Sequence, residues 1–483
     1  MSVDSPGAAV PGAARRRAAE IVRSLRPADG CAIAVAGIDV GPALEQQVYF
    51  ALRDQDPAAT GISAALKRRA LPVGALLASL RPRRRPRPDR GGVLLLIRGE
   101  VHARAFAPVA EALGEHPDLP VVTVRVGQAA ASRDPRIRAT PRLVDLMEGA
   151  PARAALRSSR LATSLARRVA ELEPSIGRVV REQVPRLAVA AAGLRSATEA
   201  VRPRLLVTYD EAGSWGRLLV AEGRRSGVPV LDLPHAELVN PEILVGADFD
   251  AMAVYGTASR DLALAAGVQA TRVRVVGSVR HDQLAAMAGE RRRDAGASEL
   301  RITFAAQYPT AGIADTTLEA ALHDTLIAAG SVAPAIVRIV PHPIGPPGLV
   351  QRWLRTAQVL DGVRVDERAA GDLYEALLDS DLLVTVTSQS VLEAAVVGIP
   401  AVSIQPPGSE LAFPYAAERI ADVALDATAL AERFAALRSP VAAAAAVDRA
   451  RANVARHLGP MDGRAAQRSA ELVAELVDAG YAV

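Results

Sequence analysis

The sequence predicts an α/β protein made of two doubly wound, Rossmann-like domains with parallel sheets, and three observations carry that expectation. Short apolar runs rich in Val, Ile and Leu recur in two series, from residues 92–97 to 272–276 and from 302–306 to the strand that Pro400 opens. Continuous runs of this kind suit strands buried on both faces. Helical patterns closed by glycine separate them, as at residues 215–226 before Gly227, and the polar clusters fall at the carboxyl ends of the strands.

At 483 residues the chain exceeds what one core usually holds, so two domains with appendages are expected. Half the residues are apolar, enough for large cores, and the lone cysteine, Cys31, excludes an internal disulfide framework and any metal site built on several cysteines. It also points to a reducing compartment. Net charge is only +4, with a sequence pI of about 9.5, and the positive excess gathers between Lys67 and Arg90. The Arg/Pro run at 81–88 cannot be a helix interior and reads as a solvated, extended linker, or as a contact for anionic lipid head groups. No apolar run reaches the ~20 residues that span a bilayer, and the first residues lack the apolar core of a secretory signal. A cytoplasmic protein is expected, with peripheral contact at the inner face of the membrane as an option and no nucleic-acid partner.

In chain order, residues 1–90 read as a helical leader with one strand near 31–35, ending in the basic linker. Residues 91–280 read as the first Rossmann-like domain. Its strands are 92–97, 120–124, 205–209, 228–233, 251–255 and 272–276. Residues 141–201 interrupt them as a helical insertion, broken at Pro151, Pro174 and Pro185, that shapes an acceptor surface or simply packs as a cap. Residues 281–425 read as the second domain, with strands at 302–306, 335–340, 363–365 and 382–387. The Ala-rich tail, 426–483, is expected as helices packing back across the domains.

The second domain is organised around residues 379–406. An apolar β-branched strand runs into the turn Ser388-Gln389-Ser390, then a helix over 391–397, then Gly398 and Pro400, which stop the helix and open the next strand. A hydroxyl-bearing turn at a helix N-terminus beyond a parallel strand is suited to phosphate. The competing reading is a capping box, Ser390 with Glu393, which needs no ligand.

Several pieces, taken in order, resemble the two-Rossmann-domain glycosyltransferases of GT-B architecture. More narrowly they resemble bacterial surface-polysaccharide transferases: capsule sialyltransferases, Kdo transferases and CDP-glycerol glycerophosphotransferases. The pieces are Asp210-Glu211-Ala212-Gly213; Gly227-Val228-Pro229 leading to His235; Gly277-Ser278-Val279-Arg280-His281-Asp282; Pro341-His342-Pro343; and Ser388-Gln389-Ser390 with Glu393. The chain departs from the pattern twice. Pro234-His235-Ala236 stands where the family often has Gln-His-Gly, and Ala212 separates the acidic pair from Gly213. The resemblance implies facing domains and an inverting, metal-independent transfer from a nucleotide-activated sugar, CMP- or CDP-type favoured, to a glycan or lipid-linked acceptor. It implies no cofactor, the nucleotide sugar being a substrate.

Such a transfer must stabilise a departing phosphate and deprotonate an acceptor hydroxyl. His342, held between prolines at a strand end, can donate to the phosphate. Pro343, Ser388, Gln389, Ser390, Gly277 and Arg280 are the further donor-site candidates, Glu393 is a ribose ligand or a cap, and Arg280 with Asp282 can also lock the junction between domains. For the base, the sialyltransferase analogy favours Glu211 or Asp210, and the glycerophosphotransferase analogy favours His235. His102, after the first strand, borders the acceptor side or is structural. The absence of G-x-x-x-x-G-K-[ST], of G-x-G-x-x-G after a strand and of H-x-x-x-H excludes kinase, dehydrogenase and zinc-hydrolase readings. A CDP-glycerol-type glycerophosphotransferase, a hydrolysing UDP-N-acetylhexosamine 2-epimerase and a non-catalytic scaffold of polysaccharide assembly remain as alternatives.

Overall fold

The computed structural model describes residues 12–26, 32–54, 91–97, 100–114, 119–125, 142–147, 149–209, 213–238, 240–288, 299–309, 313–343, 345–369, 371, 373–405 and 414–479. The chain forms two compact units, Met1–Val279 with Arg464–Val483, and Arg280–Gly463.

The first unit opens with α1 (Ala13–Leu25), the antiparallel pair β1 (Ala34–Val35) and β2 (Ile38–Asp39), and α2 (Gly41–Asp54). Then come β3 (Val93–Ile97), α3 (Glu100–Leu113), β4 (Val121–Arg125) and two long helices, α4 (Gly149–Ala170) and α5 (Pro174–Val201). The run β5 (Leu205–Thr208), α6 (Ser214–Ser226), β6 (Val230–Asp232), β7 (Ala251–Val254), α7 (Thr257–Ala265) and β8 (Val273–Val275) completes the sheet. Its six strands are parallel in the order β4-β3-β5-β6-β7-β8.

The sheet is buried on both faces, as its apolar strands require. Val93, Leu95 and Ile97 of β3 pack with α3 and the C-terminal helix, whereas Leu94 and Leu96 face the core shared by α1, α2, α4, α5 and α6. Residues 12–26 and 32–54 therefore belong to this core rather than standing apart as a leader. Arg15 fixes them there: it pairs with Glu45 at 3.2 Å, donates to Gln46 at 2.7 Å, lies over the Tyr49 ring and donates to the carbonyl of Val245. The expected strand at 31–35 shortens to β1, and Cys31 and the run 81–88 lie outside the described residues.

The helical segment differs from expectation at its prolines. Pro174 starts α5, but Pro151 sits in the first turn of α4, where a missing N–H costs nothing, and Pro185 lies inside an unbroken α5. Tertiary burial holds α5 together across Pro185, since most of the helix is enclosed. Gly177 lets α5 approach α4 closely, because a Cβ there would meet Ala170 and the carbonyl of Ala166 at 2.7–2.9 Å.

The second unit runs through α8 (Val279–Ala288), β9 (Leu300–Ala305), α9 (Asp315–Gly330), β10 (Ala335–Val340), α10 (Leu349–Leu354), β11 (Val363–Glu367), α11 (Leu373–Leu378), β12 (Leu382–Thr385), α12 (Ser390–Val397), β13 (Ala401–Ile404), α13 (Pro414–Ala417), β14 (Asp422–Ala424), α14 (Ala427–Leu437) and α15 (Pro440–Leu458). The last helix, α16 (Ala465–Asp478), returns to the first unit, where it packs on α3. The second sheet is also six-stranded and parallel, in the order β11-β10-β9-β12-β13-β14. The chain works outward from β9 to β11 and then jumps back to place β12 beside β9, so the topological switch lies between β9 and β12. In the first sheet the equivalent switch lies between β3 and β5. Among the described residues no helix is long and apolar enough to cross a membrane.

Candidate functional site

The switch of the second sheet is bridged by side chains. Gln307, just beyond β9, donates through Nε2 to Thr387 Oγ1 at 3.1 Å and accepts the Thr387 N–H at 2.7 Å. Thr385 Oγ1 donates to the carbonyl of Ala305 at 3.2 Å. These bonds hold the β12 end against the β9 end, where an open α/β sheet presents ligands. The turn that follows is short: Ser388 Oγ accepts the Ser390 N–H at 3.1 Å, and Gly398, in the left-handed region at φ +82, ends α12.

The capping box is not formed. No side chain caps the Gln389 position, and Ser390 is the first residue of α12 rather than its cap. Its hydroxyl is 2% exposed and has no hydrogen-bond partner. Glu393, 1% exposed, does not reach back along the helix but accepts from Arg280 of α8. Its other oxygen, Oε2, has no partner. A buried carboxylate is tolerated because the guanidinium neutralises it. Arg280 is 43% exposed, and its charge opposes the upward shift that burial gives the half-buried Tyr374 phenol. The α12 N-terminus thus combines a positive dipole end, a buried hydroxyl and a guanidinium anchored from behind.

Histidine lines this end of the sheet twice. His281 Nε2 lies 3.8 Å from Glu393 Oε1. That proximity would favour the imidazolium, yet burial first and the Arg280 charge second push its pKa well below the ordinary 6.5. The Glu393 charge is already taken by Arg280, so burial prevails and His281 is neutral at pH 7. His342, after β10, packs its ring 4.8 Å from that of Tyr308, after β9, and burial lowers its pKa as well. The Gly345 N–H donates to its carbonyl at 2.9 Å, closing the turn in which Pro343 is exposed. The 341–343 and 388–390 turns therefore lie at the same end of the sheet, with β9 between their strands.

The first unit gathers a separate set. His102 of α3 is buried, with its ring 5.0 Å from that of His235 and 6.0 Å from that of Tyr209. Burial pushes the Tyr209 phenol well above its ordinary pKa, and Tyr255 and Asp232, near the ends of β7 and β6, raise it further. Asp210 and Glu211 follow Tyr209 in the chain but lie outside the described residues. Gly277 belongs to this unit and adopts φ +87 in the turn after β8, its N–H donating to Tyr255 at 3.1 Å.

Sequence reasoning missed Gln307, Thr387, Tyr308, Tyr374 and the pairing of His102 with His235. The legible signal for Gln307 was its position at a strand end next to the switch, and nothing local marked the others. Among the described residues no group of three or more His, Cys, Asp or Glu side chains converges as a metal-ligand set.

No protein-family model and no curated protein sequence matches the chain. Solved structures do resemble it. The UDP-N-acetylglucosamine 2-epimerase of Neisseria meningitidis bound to UDP-GlcNAc aligns with TM-score 0.53 and 14% identity over 80% of this chain and 99% of that one. A further UDP-N-acetylglucosamine 2-epimerase aligns at 0.52 and 14%, over 80% and 96%. MnaA of S. aureus with UDP aligns at 0.50 and 11%, over 80% and 97%. At such identities the likeness is one of fold, and the two doubly wound parallel sheets make it specific: the chain has the two-domain, Rossmann-like GT-B fold.

Proposed function

We propose that the chain is a nucleotide-sugar enzyme and, within that class, an inverting, metal-independent glycosyltransferase acting on a cell-surface glycan or lipid-linked acceptor. The observation that carries this reading is the α12 N-terminus at the β9–β12 switch. There the unpartnered Ser390 hydroxyl, the Ser388 turn and Arg280 offer neutral and cationic donors to a phosphate. Neutral His342, in the turn after the next strand, is suited to donate a hydrogen bond to a leaving phosphate without contributing charge. The acceptor base is one of Asp210, Glu211 and His235 in the first unit, and the nucleotide sugar is a substrate, so no cofactor is required. The lone Cys31 supports a cytoplasmic setting for this chemistry. CMP- or CDP-type donors follow from the resemblance to sialyl- and glycerophosphotransferases.

The fold relatives favour a second reading, hydrolysing epimerisation of UDP-N-acetylglucosamine, because two of those named above are UDP-N-acetylglucosamine 2-epimerases and two were solved with UDP-GlcNAc or UDP. Native mass spectrometry with CMP, CDP and UDP, followed by product analysis on the matching sugar nucleotide, separates the two. Retention of a nucleotide with sugar moving to an acceptor supports transfer. UDP retention with release of an epimeric sugar supports the second reading, and failure to retain any nucleotide removes both and leaves the scaffold.

A further inference from the structure

We propose that the exposed arginine face of α4 is a docking surface for an anionic membrane. Across the whole chain the charges nearly balance, 57 basic against 53 acidic. Helix α4 breaks that balance, since its 22 residues carry five arginines and no Asp or Glu. Arg153, Arg157, Arg160 and Arg167 follow one another at spacings of four, three and seven, which at 3.6 residues per turn places them on one stripe. All four are exposed, and none forms an ion pair or hydrogen bond among the described residues. The fifth, Arg168, sits at the edge of the stripe but is spoken for, donating to the carbonyls of Ser24 and Leu25.

Several other surface arginines of the first unit are committed: Arg195 to Glu199, Arg224 and Arg272 to Asp248, and Arg225 to Glu222. The row on α4 is about 21 Å long, and the next helix, α5, adds the exposed Arg178, Arg181 and Arg186. Leu156, 36% exposed, sits along its edge. The opposite face of α4, with Ala155, Ala162, Leu165 and Val169, is already buried in the unit's core. The helix therefore has no apolar face left to insert and would rest on lipid head groups by charge, with Leu156 adding a small apolar contact. A nucleic-acid partner fits less well, since α4 and α5 carry no aromatic side chain on which bases would stack.

The test is flotation of the full chain with phosphatidylcholine vesicles, with and without phosphatidylglycerol, at low and high salt. Binding should require the anionic lipid, reverse in high salt and fall about five-fold for each arginine replaced by Gln. Replacing Arg153, Arg157, Arg160 and Arg167 by Lys should preserve binding, because the charge stays. Circular dichroism and nucleotide binding report folding, and if the fourfold Gln variant fails to fold, the pair R153Q/R157Q carries the same test. Absence of vesicle binding by the parent chain, unchanged binding by folded Gln variants, or binding of RNA or an anionic glycan through these arginines without vesicle partition would each overturn the proposal. The proposal does not depend on which sugar-nucleotide reaction the protein performs.

Discussion

Glu393, 1% exposed on α12, is held by Arg280, 43% exposed on α8, so a buried carboxylate is neutralised by a guanidinium that still meets solvent. Removing the cation should cost more than removing the charge it covers. Arg280→Ala leaves the carboxylate buried and uncompensated and should destabilise the protein by about 2 kcal/mol, while Glu393→Gln should cost about 1 kcal/mol. The double variant should lose less than the sum, because the two residues act as one unit. Urea denaturation of the three variants checks this, and strictly additive losses would show that the pair is not coupled.

His281 makes stability depend on pH. Its folded pKa lies well below the ordinary 6.5, through burial and the Arg280 charge, so below that value the unfolded chain binds more protons than the folded one. Stability from this group is therefore full above 6.5 and declines as pH falls beneath it. His342 adds in the same direction. Melting temperature measured from about pH 7.5 down to about pH 5.5 should fall, and the fall should be shallower in His281→Asn. An equally steep fall in that variant would assign the slope to other groups.

His342, neutral and packed against Tyr308, is expected to act on the leaving phosphate as an uncharged donor. His342→Ala should weaken nucleotide binding and slow turnover together. Nucleotide affinity of the parent protein should stay flat from about pH 6.5 to about pH 8, where the ring keeps its protonation state. Unchanged affinity and turnover in the variant would remove the role.

The base is tested by isosteric amides. If a carboxylate takes the acceptor proton, Glu211→Gln or Asp210→Asn should slow transfer ~100-fold to ~10,000-fold and leave nucleotide binding intact. Near-normal rates in both, with His235→Ala inactive, would move the role to the histidine. In that case His102→Ala should shift the pH profile of turnover, since its ring lies 5.0 Å from that of His235.

The strands were legible in the sequence because strands buried on both faces must be apolar throughout, and residues 335–340 come out as β10 to the residue. The helix closed by Gly398 and the strand opened after Pro400 were legible for the same kind of local reason, a left-handed stop and a fixed φ. The two sheet orders match the doubly wound class that the strand series implied. The side-chain partnerships were not legible. Ser390 and Glu393 have capping-box spacing, yet the carboxylate turned to Arg280, which is 113 residues away in the chain, because pairing with a cation lowers the cost of burial more than a backbone N–H does. Gln307 met Thr387 because the chain places β12 back beside β9, and His102 met His235 because α3 and the end of β6 share one end of a sheet. Local periodicity determined which residues became strands and helices; the strand order, a long-range property, decided which polar groups share a site.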